Sequence, residues 1–238
     1  QVKGATMKQT SEAAFETTIE SVLLNDGYRK LASDAFNTER AIFPDEALTF
    51  IRETQSKTWE KLEALHGAET GERVLQALTK WLDTHGALTT LRHGFKCFGK
   101  TLRIAFFRPA HGLNPELEAR YRANRLGITR QLYFSGKNNK SLDVVLSVNG
   151  IPVVTLELKN PLSGQTAANA IHQYRHDREP LFLFTKRTLV HFAVDTEEAH
   201  MTTRLAGTGT HFLPFNRGWD GGAGNAPDTQ GRNYKTAY

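Results

Sequence analysis

Between Ser11 and Asn25 apolar residues recur at helical spacing, with Phe15, Ile19, Val22 and Leu23 on one stripe and Ser11 placed to cap the run. Gly27 ends it. Pro44 to His66 and Glu69 to His85, rich in Glu, Lys, Ala and Leu, predict two more helical segments, stopped by Gly67 and Gly86 and packed as a pair beside a sheet. From Leu102 the pattern changes. LRIAFF at 102–107, ITRQLYFS at 128–135 and SLDVVLSVNGIPVVTLELK at 141–159 are β-branched and apolar runs that predict strands, interrupted by a short helix near Pro115 to Asn124. Gln165 to Glu179 returns to helix, and LFLFT at 181–185 and LVHFAV at 189–194 predict strands again. This order predicts a mixed α/β domain, a central sheet flanked by helices with an N-terminal helical portion. The domain is expected over 7–215, with helical elements in 11–85 and the sheet with its helix in 102–195; residues 1–6 precede Met7 and are left outside it. After Phe215 the chain is loaded with Gly, Asn and Asp and has no apolar period, so 216–238 reads as a linker towards a further domain.

Composition narrows the class only modestly. At 238 residues, the chain can bury a full core, and 30 basic against 25 acidic residues give +5, a mild bias towards a polyanion. The single cysteine, Cys97, excludes an internal disulfide and suits a reducing compartment, where a buried structural thiol is expected. No apolar run has the length of a membrane span and no charged-then-apolar leader stands at the start, so a soluble, cytoplasmic protein with no membrane partner is expected.

The chemistry concentrates in 141–159, two strands joined at Asn149-Gly150 that bring Asp143, Glu157 and Lys159 together. Mg²⁺ takes oxygen ligands and is usually held by one or two carboxylates plus phosphate and water, so Asp143 and Glu157 suffice as metal ligands. Glu157 and Lys159, two apart, share a strand face. A bland reading is a hairpin with a solvated charged end. Against it, Glu157 and Lys159 close an otherwise apolar run, IPVVTL, and charges at the end of a buried strand need a reason.

Register decides whether Asp143 joins them. A regular two-residue turn would set Asp143 opposite Leu156 and turn Glu157 away. A three-residue loop of Val148, Asn149 and Gly150, with Gly150 left-handed, would pair Ser147 with Ile151 and Asp143 with Thr155. Glu157 would then be the diagonal neighbour of Asp143, with α-carbons roughly 7 to 8 Å apart. The chemistry therefore predicts the three-residue loop.

Two other patterns are decoys. Gly94 to Thr101, GFKCFGKT, has the letters of a phosphate-binding loop, but that motif needs a following helix and here a strand is expected, so no ATP site is assigned to this chain. His172 and His176 share a helix face without a third ligand, so no metal is placed there. On the same helix, Gln173 is expected over the face of the Glu-x-Lys strand, where it could orient water or a phosphate oxygen.

Asp143, Glu157, Lys159 and the Gln-Tyr of the next helix resemble the PD-(D/E)xK nucleases, and within them the N-terminal nuclease region of the type I restriction enzyme R subunit. SEAAFETTIESVLLNDGY, SLDVVLSVNGIPVVTLELKNPLSG and AIHQYRHDREPLFLFTKR carry the resemblance. It implies a PD-(D/E)xK restriction-endonuclease-like core and a Mg²⁺-dependent endonuclease acting on double-stranded DNA. It further implies an ATP-driven motor elsewhere in the polypeptide, and methylation and specificity subunits as partners. The family's first-helix glutamate corresponds best to Glu16. Leu142-Asp143 replaces the usual Pro-Asp, and the Gln-x3-Tyr element is imperfect, because Asp177 stands four residues after Gln173 and tyrosine is adjacent at Tyr174. The implied catalytic set is Asp143, Glu157, Lys159, Gln173 and Glu16. A nuclease-like module that grips DNA without cutting, and a free-standing nuclease without a motor, are the alternatives.

Overall fold

The computed structural model describes residues 2–135, 139–177 and 186–215. The strand expected at 181–185 and the linker expected at 216–238 lie outside them. Helix α1 (Val2–Asn25) leads into a short strand β1 (Arg29–Lys30), and α2 (Pro44–Thr54), α3 (Ser56–His66) and α4 (Thr70–His93) follow. Then come a hairpin β2 (Phe95–Cys97) and β3 (Lys100–Leu102), α5 (Pro115–Arg122), β4 (Leu126–Tyr133), β5 (Ser141–Val148) and β6 (Ile151–Leu158). Helix α6 (Ala167–His176) and strands β7 (Val190–Val194), β8 (Ala199–Thr202) and β9 (Leu213–Pro214) complete the described elements. The main sheet has seven strands in the order β1-β4-β5-β6-β7-β8-β9. β1 runs parallel to β4 and β6 to β7, while the other neighbours are antiparallel, so the sheet is mixed as expected.

Helix α1 lies over Ile128, Val144 and Leu158 through Phe15, Ile19 and Leu23. Val22, expected in that stripe, is exposed instead. The helical layer of α2, α3 and α4 builds the largest apolar cluster, around Phe50, Leu62, Leu78 and Phe95. The single helix expected over 44–66 is two, because Gln55 leaves helical geometry and its side chain turns to Arg103, donating to the carbonyl at 2.9 Å and accepting from the amide at 2.7 Å. Helix α4 departs from helical geometry at Gly86 and resumes as far as His93, so Gly86 breaks the helix without ending it.

The strand expected over 102–107 stops at Leu102. Beyond it, side-chain amides take the place of a neighbouring strand: Gln55 serves Arg103, Asn149 donates to the Ile104 carbonyl at 2.8 Å, and Asn124 donates to the Phe106 carbonyl at 2.6 Å. These bonds satisfy a backbone that would otherwise need a ladder. The phosphate-loop look-alike is the β2–β3 hairpin, with Cys97 paired to Lys100 and Phe98 and Gly99 both at positive φ in the turn, so no helix N-terminus faces it.

The register of β5 on β6 overturns the three-residue loop. Val148 pairs with Ile151, and Asn149 and Gly150 have φ of 49° and 82°, the two-residue turn that Asn-Gly favours. Gly150 is left-handed as expected, but its neighbours are set by packing: a Cβ there would stand 2.4 Å from the Phe43 carbonyl oxygen and 2.9 Å from the Ala47 amide, at the start of α2. Asn149 is fully buried, accepting from the Arg125 amide at 2.7 Å and donating to Ile104 and Asn124. That turn alone would point Glu157 the wrong way. A β-bulge corrects it. Ser147 pairs with Pro152 but Leu146 pairs with Val154, leaving Val153 as an extra residue on β6. Pro152, which has no amide hydrogen, stands just before the bulge, on the turn side of the point where β6 begins to pair with β7 at Val154. Beyond the bulge Val144 pairs with Leu156, and one further step sets Asp143 directly opposite Glu157.

Candidate functional site

The sheet opens where these carboxylates stand. The last ladder pair of β5 with β6 is Val144 with Leu156, and β4 pairs with β5 at Arg130–Val144 and Leu132–Leu142 but skips Gln131 and Asp143. Asp143 fills the gap with its side chain. Its Oδ2 accepts from the Leu158 amide at 2.7 Å, and its Oδ1 accepts from the Gln131 side-chain amide at 3.3 Å. The same Gln131 nitrogen donates to Glu16 Oε1 at 2.7 Å, so a helix carboxylate and a strand carboxylate meet on one donor.

Glu16 reaches that point because α1 packs by its apolar stripe and turns Glu16 and Glu20 inwards, each 6% exposed. Arg130 ties both down, at 3.0 Å to Glu16 and 3.2 Å to Glu20, and Lys30 adds a 2.9 Å bridge to Glu20. Burial pushes the Glu16 carboxyl above its ordinary range; Arg130 and Gln131 work against this, while the charge of nearby Asp143 adds to it. Glu20 ends below its ordinary range, since its bonds to Lys30 and Arg130 outweigh burial. Of the two, Glu16 is the one beside Asp143.

Glu157 is fully buried on β6. Lys159 lies one residue past that strand, half-buried, with its amide donating to the Val194 carbonyl at 2.8 Å and its ammonium free of hydrogen bonds and ion pairs among the described residues. Thr155 shares the strand face of Glu157, and its hydroxyl is 2.8 Å from the Tyr174 hydroxyl and 2.6 Å from His191 Nδ1. Tyr174, buried with Ala167 and Ala170, therefore helps to dock α6 on the sheet. Gln173 sits beside it, half-buried, with no hydrogen bond from its side-chain amide among the described residues. His172 and His176 lie against each other on the exposed side of α6, their rings tilted and their centres 4.3 Å apart, away from any third ligand among the described residues.

The donors Asp143, Glu157 and Glu16 are hard oxygens of the kind that a Mg²⁺ ion accepts, and the Gln131 bridge already draws two of them together. No three His, Cys, Asp or Glu side chains among the described residues form a closed ligand cage. An ion that normally keeps several waters does not require one. Sequence reasoning missed Gln131 and Arg130; the signal was the pair of polar residues inside ITRQLYFS, which an alternating strand does not need. It also missed the Thr155–Tyr174–His191 network, whose members look unremarkable until the strands are paired.

An α/β domain with carboxylates gathered where its central strands part is the class that fold and site define. Residues 9–210 match the family model of the Type I restriction enzyme R protein N terminus, and the chain belongs to that family, the N-terminal region of the restriction subunit. No curated protein matches the chain. No helix among the described residues is long and apolar enough to cross a membrane.

Proposed function

We propose that this chain is the Mg²⁺-dependent DNA endonuclease unit of a type I restriction enzyme, with a PD-(D/E)xK-like core. The observation that carries this reading is the placement of Asp143, at the parting of β5 and β6, opposite Glu157 and joined to Glu16 through Gln131. Asp143 and Glu157 would hold the ion, with Glu16 within reach of the same cluster. A bound Mg²⁺ supplies charge for the scissile phosphate and lowers the pKa of a coordinated water. Lys159, with its ammonium uncommitted among the described residues, stabilises negative charge that develops on the phosphate. Gln173, on the helix that Tyr174 anchors over β6, orients water or a phosphate oxygen. Phosphate contacts position DNA without reading bases, so double-stranded DNA of any sequence can be the substrate here while specificity resides in partner subunits. ATP belongs to a motor outside this chain, and methylation and specificity subunits are the partners proposed for the complete enzyme.

Cleavage of supercoiled plasmid with Mg²⁺, by the chain and by the restriction complex containing it, tests the reading. Asp143→Asn and Glu157→Gln should abolish cutting, and Lys159→Ala should slow it by roughly a hundredfold or more. Full cutting by Asp143→Asn and Glu157→Gln would reject the site. DNA binding without cutting by the unmodified protein in both settings would instead favour a docking module.

A further inference from the structure

Gln131 has no part in the sequence-derived site, yet its backbone and its side chain both depart from what a strand residue requires. It has φ of +47°, and among the described residues with positive φ other than glycine, Ala41, Phe98, Gln131 and Asn149, it alone lies inside a strand. Left-handed backbone at a residue with a Cβ is costly and persists where the surroundings hold it. Here they do. The Gln131 carbonyl accepts from Ser33 Oγ at 3.1 Å in place of a β5 partner, and the same Ser33 hydroxyl accepts from the Tyr133 amide at 3.2 Å. With the backbone turned, the side chain lies across the end of the sheet. Its Oε1 accepts from Ser141 Oγ at 2.7 Å, and its Nε2 donates to Glu16 Oε1 and Asp143 Oδ1. The amide orientation follows from chemistry: an ionised carboxylate only accepts, so nitrogen must face the two acids, and a hydroxyl can supply the proton that oxygen needs.

We infer that Gln131 is a positioning residue that holds Glu16 and Asp143 together in the metal-free protein, so that their carboxylates converge before a divalent cation arrives. This rests on the metal-site reading above. Two carboxylates converging without a cation repel each other, and a neutral donor shared between them offsets part of that repulsion without adding a charge that would compete with the ion. Arg130 already bonds the other oxygen of Glu16, and a lysine or arginine at 131 would set a second cation against both Glu16 and Asp143, in competition with the metal. The left-handed backbone is what aims the amide, since a strand conformation at 131 would restore the β4–β5 ladder and carry the side chain along the regular alternation.

The test uses the full chain and Mn²⁺ as the probe ion, with affinity read by calorimetry and stability by the melting temperature of the metal-free protein. Gln131→Gly deletes the amide but suits the positive φ, so lost hydrogen bonds and relieved strain oppose each other and its melting temperature should stay above that of Gln131→Ala, while its Mn²⁺ affinity falls by roughly tenfold or more, the size expected for loss of a group that orients a metal ligand. Gln131→Ala should show the same loss of affinity with a lower melting temperature. Asp143→Asn, run alongside, should remove binding. Wild-type affinity in Gln131→Gly, or a melting temperature for Gln131→Gly no higher than that of Gln131→Ala, overturns the positioning role. Absence of Mn²⁺ binding by the unmodified chain, or undiminished binding by Asp143→Asn, overturns the metal-site reading itself and the inference with it.

Discussion

His191 supplies the sharpest test of the packing that holds α6 over the sheet. It is 2% exposed, its Nδ1 lies 2.6 Å from Thr155 Oγ1, and burial depresses its pKa from an ordinary 6.5 to about 4. The folded protein therefore keeps it neutral at pH values where the unfolded chain has already taken up a proton. Its contribution is fully present above pH 6.5 and is lost as the pH falls towards 4. At ~1.4 kcal/mol per pH unit, the full gap amounts to roughly 3 kcal/mol, of which about 2 kcal/mol has gone by pH 5. That is a large share of the ~5–15 kcal/mol that separates folded from unfolded domains. Acid also protonates carboxylates, among them Glu16, whose raised pKa makes its own contribution run the opposite way, favouring the folded state as pH falls. The observable is accordingly a difference between proteins. Urea unfolding of the unmodified chain and of His191→Gln, followed from pH 7.5 to 5, should give stabilities that converge by about 2 kcal/mol as the pH drops. Parallel curves would refute the assignment of a buried neutral imidazole beneath Tyr174.

Other expectations address the turn and the look-alike loop. Asn149→Ala strips partners from the Arg125 amide and the Ile104 carbonyl and leaves alanine at positive φ, which should cost roughly 2 to 5 kcal/mol in urea unfolding; Asn149→Gly should cost less. Gly150→Val drives a side chain into Phe43 and Ala47, so loss of soluble, folded protein should precede any selective loss of cleavage, and a variant that melts like the unmodified chain would contradict the packing. Lys100 lies in a hairpin without a helix behind it, so calorimetry should detect no ATP binding to this chain, and micromolar binding abolished by Lys100→Ala would contradict the hairpin.

Much of this was legible from residues whose role is local. The place of the turn at Asn149-Gly150, though not its two-residue form, the stops at Gly27 and Gly67, and the paired runs of β5 and β6 are dictated by backbone preference and apolar period. Asp143 and Glu157 were legible as candidates because charges stood out in apolar strands. The register between them was misread because the correction was sought in the loop, whereas one extra residue, Val153, beside a proline inside the strand, supplies it. β1, β8 and β9 have 2, 4 and 2 residues, too few to display a period. Residues 103–106 carry strand-like side chains, yet three amides from distant positions satisfy their backbone, an outcome that exists only after folding. Gln131 is the same kind of case, since its left-handed turn is stabilised by Ser33, Ser141, Glu16 and Asp143 together.

The bulge at Val153 also explains why this hairpin settles into one pairing. Without it, the two-residue turn would carry Asp143 opposite Leu156 and exchange the faces of everything beyond Pro152. Leu156 and Leu158 would leave the cluster they form with Ile128, Val144 and the α1 stripe, and Glu157 would enter it. An ionised carboxylate in that apolar layer would be far more expensive than one unpaired residue in a ladder. The turn cannot slide to relieve this, because Asn149 is bonded to Ile104, Asn124 and Arg125 and Gly150 is pressed against the start of α2. With the turn end fixed, the mismatch must be absorbed between the turn and the carboxylates, and it is absorbed at Val153, next to Pro152. The strand that carries Glu157 is thus rotated into the site by one extra residue, Val153, placed between the turn and the carboxylates.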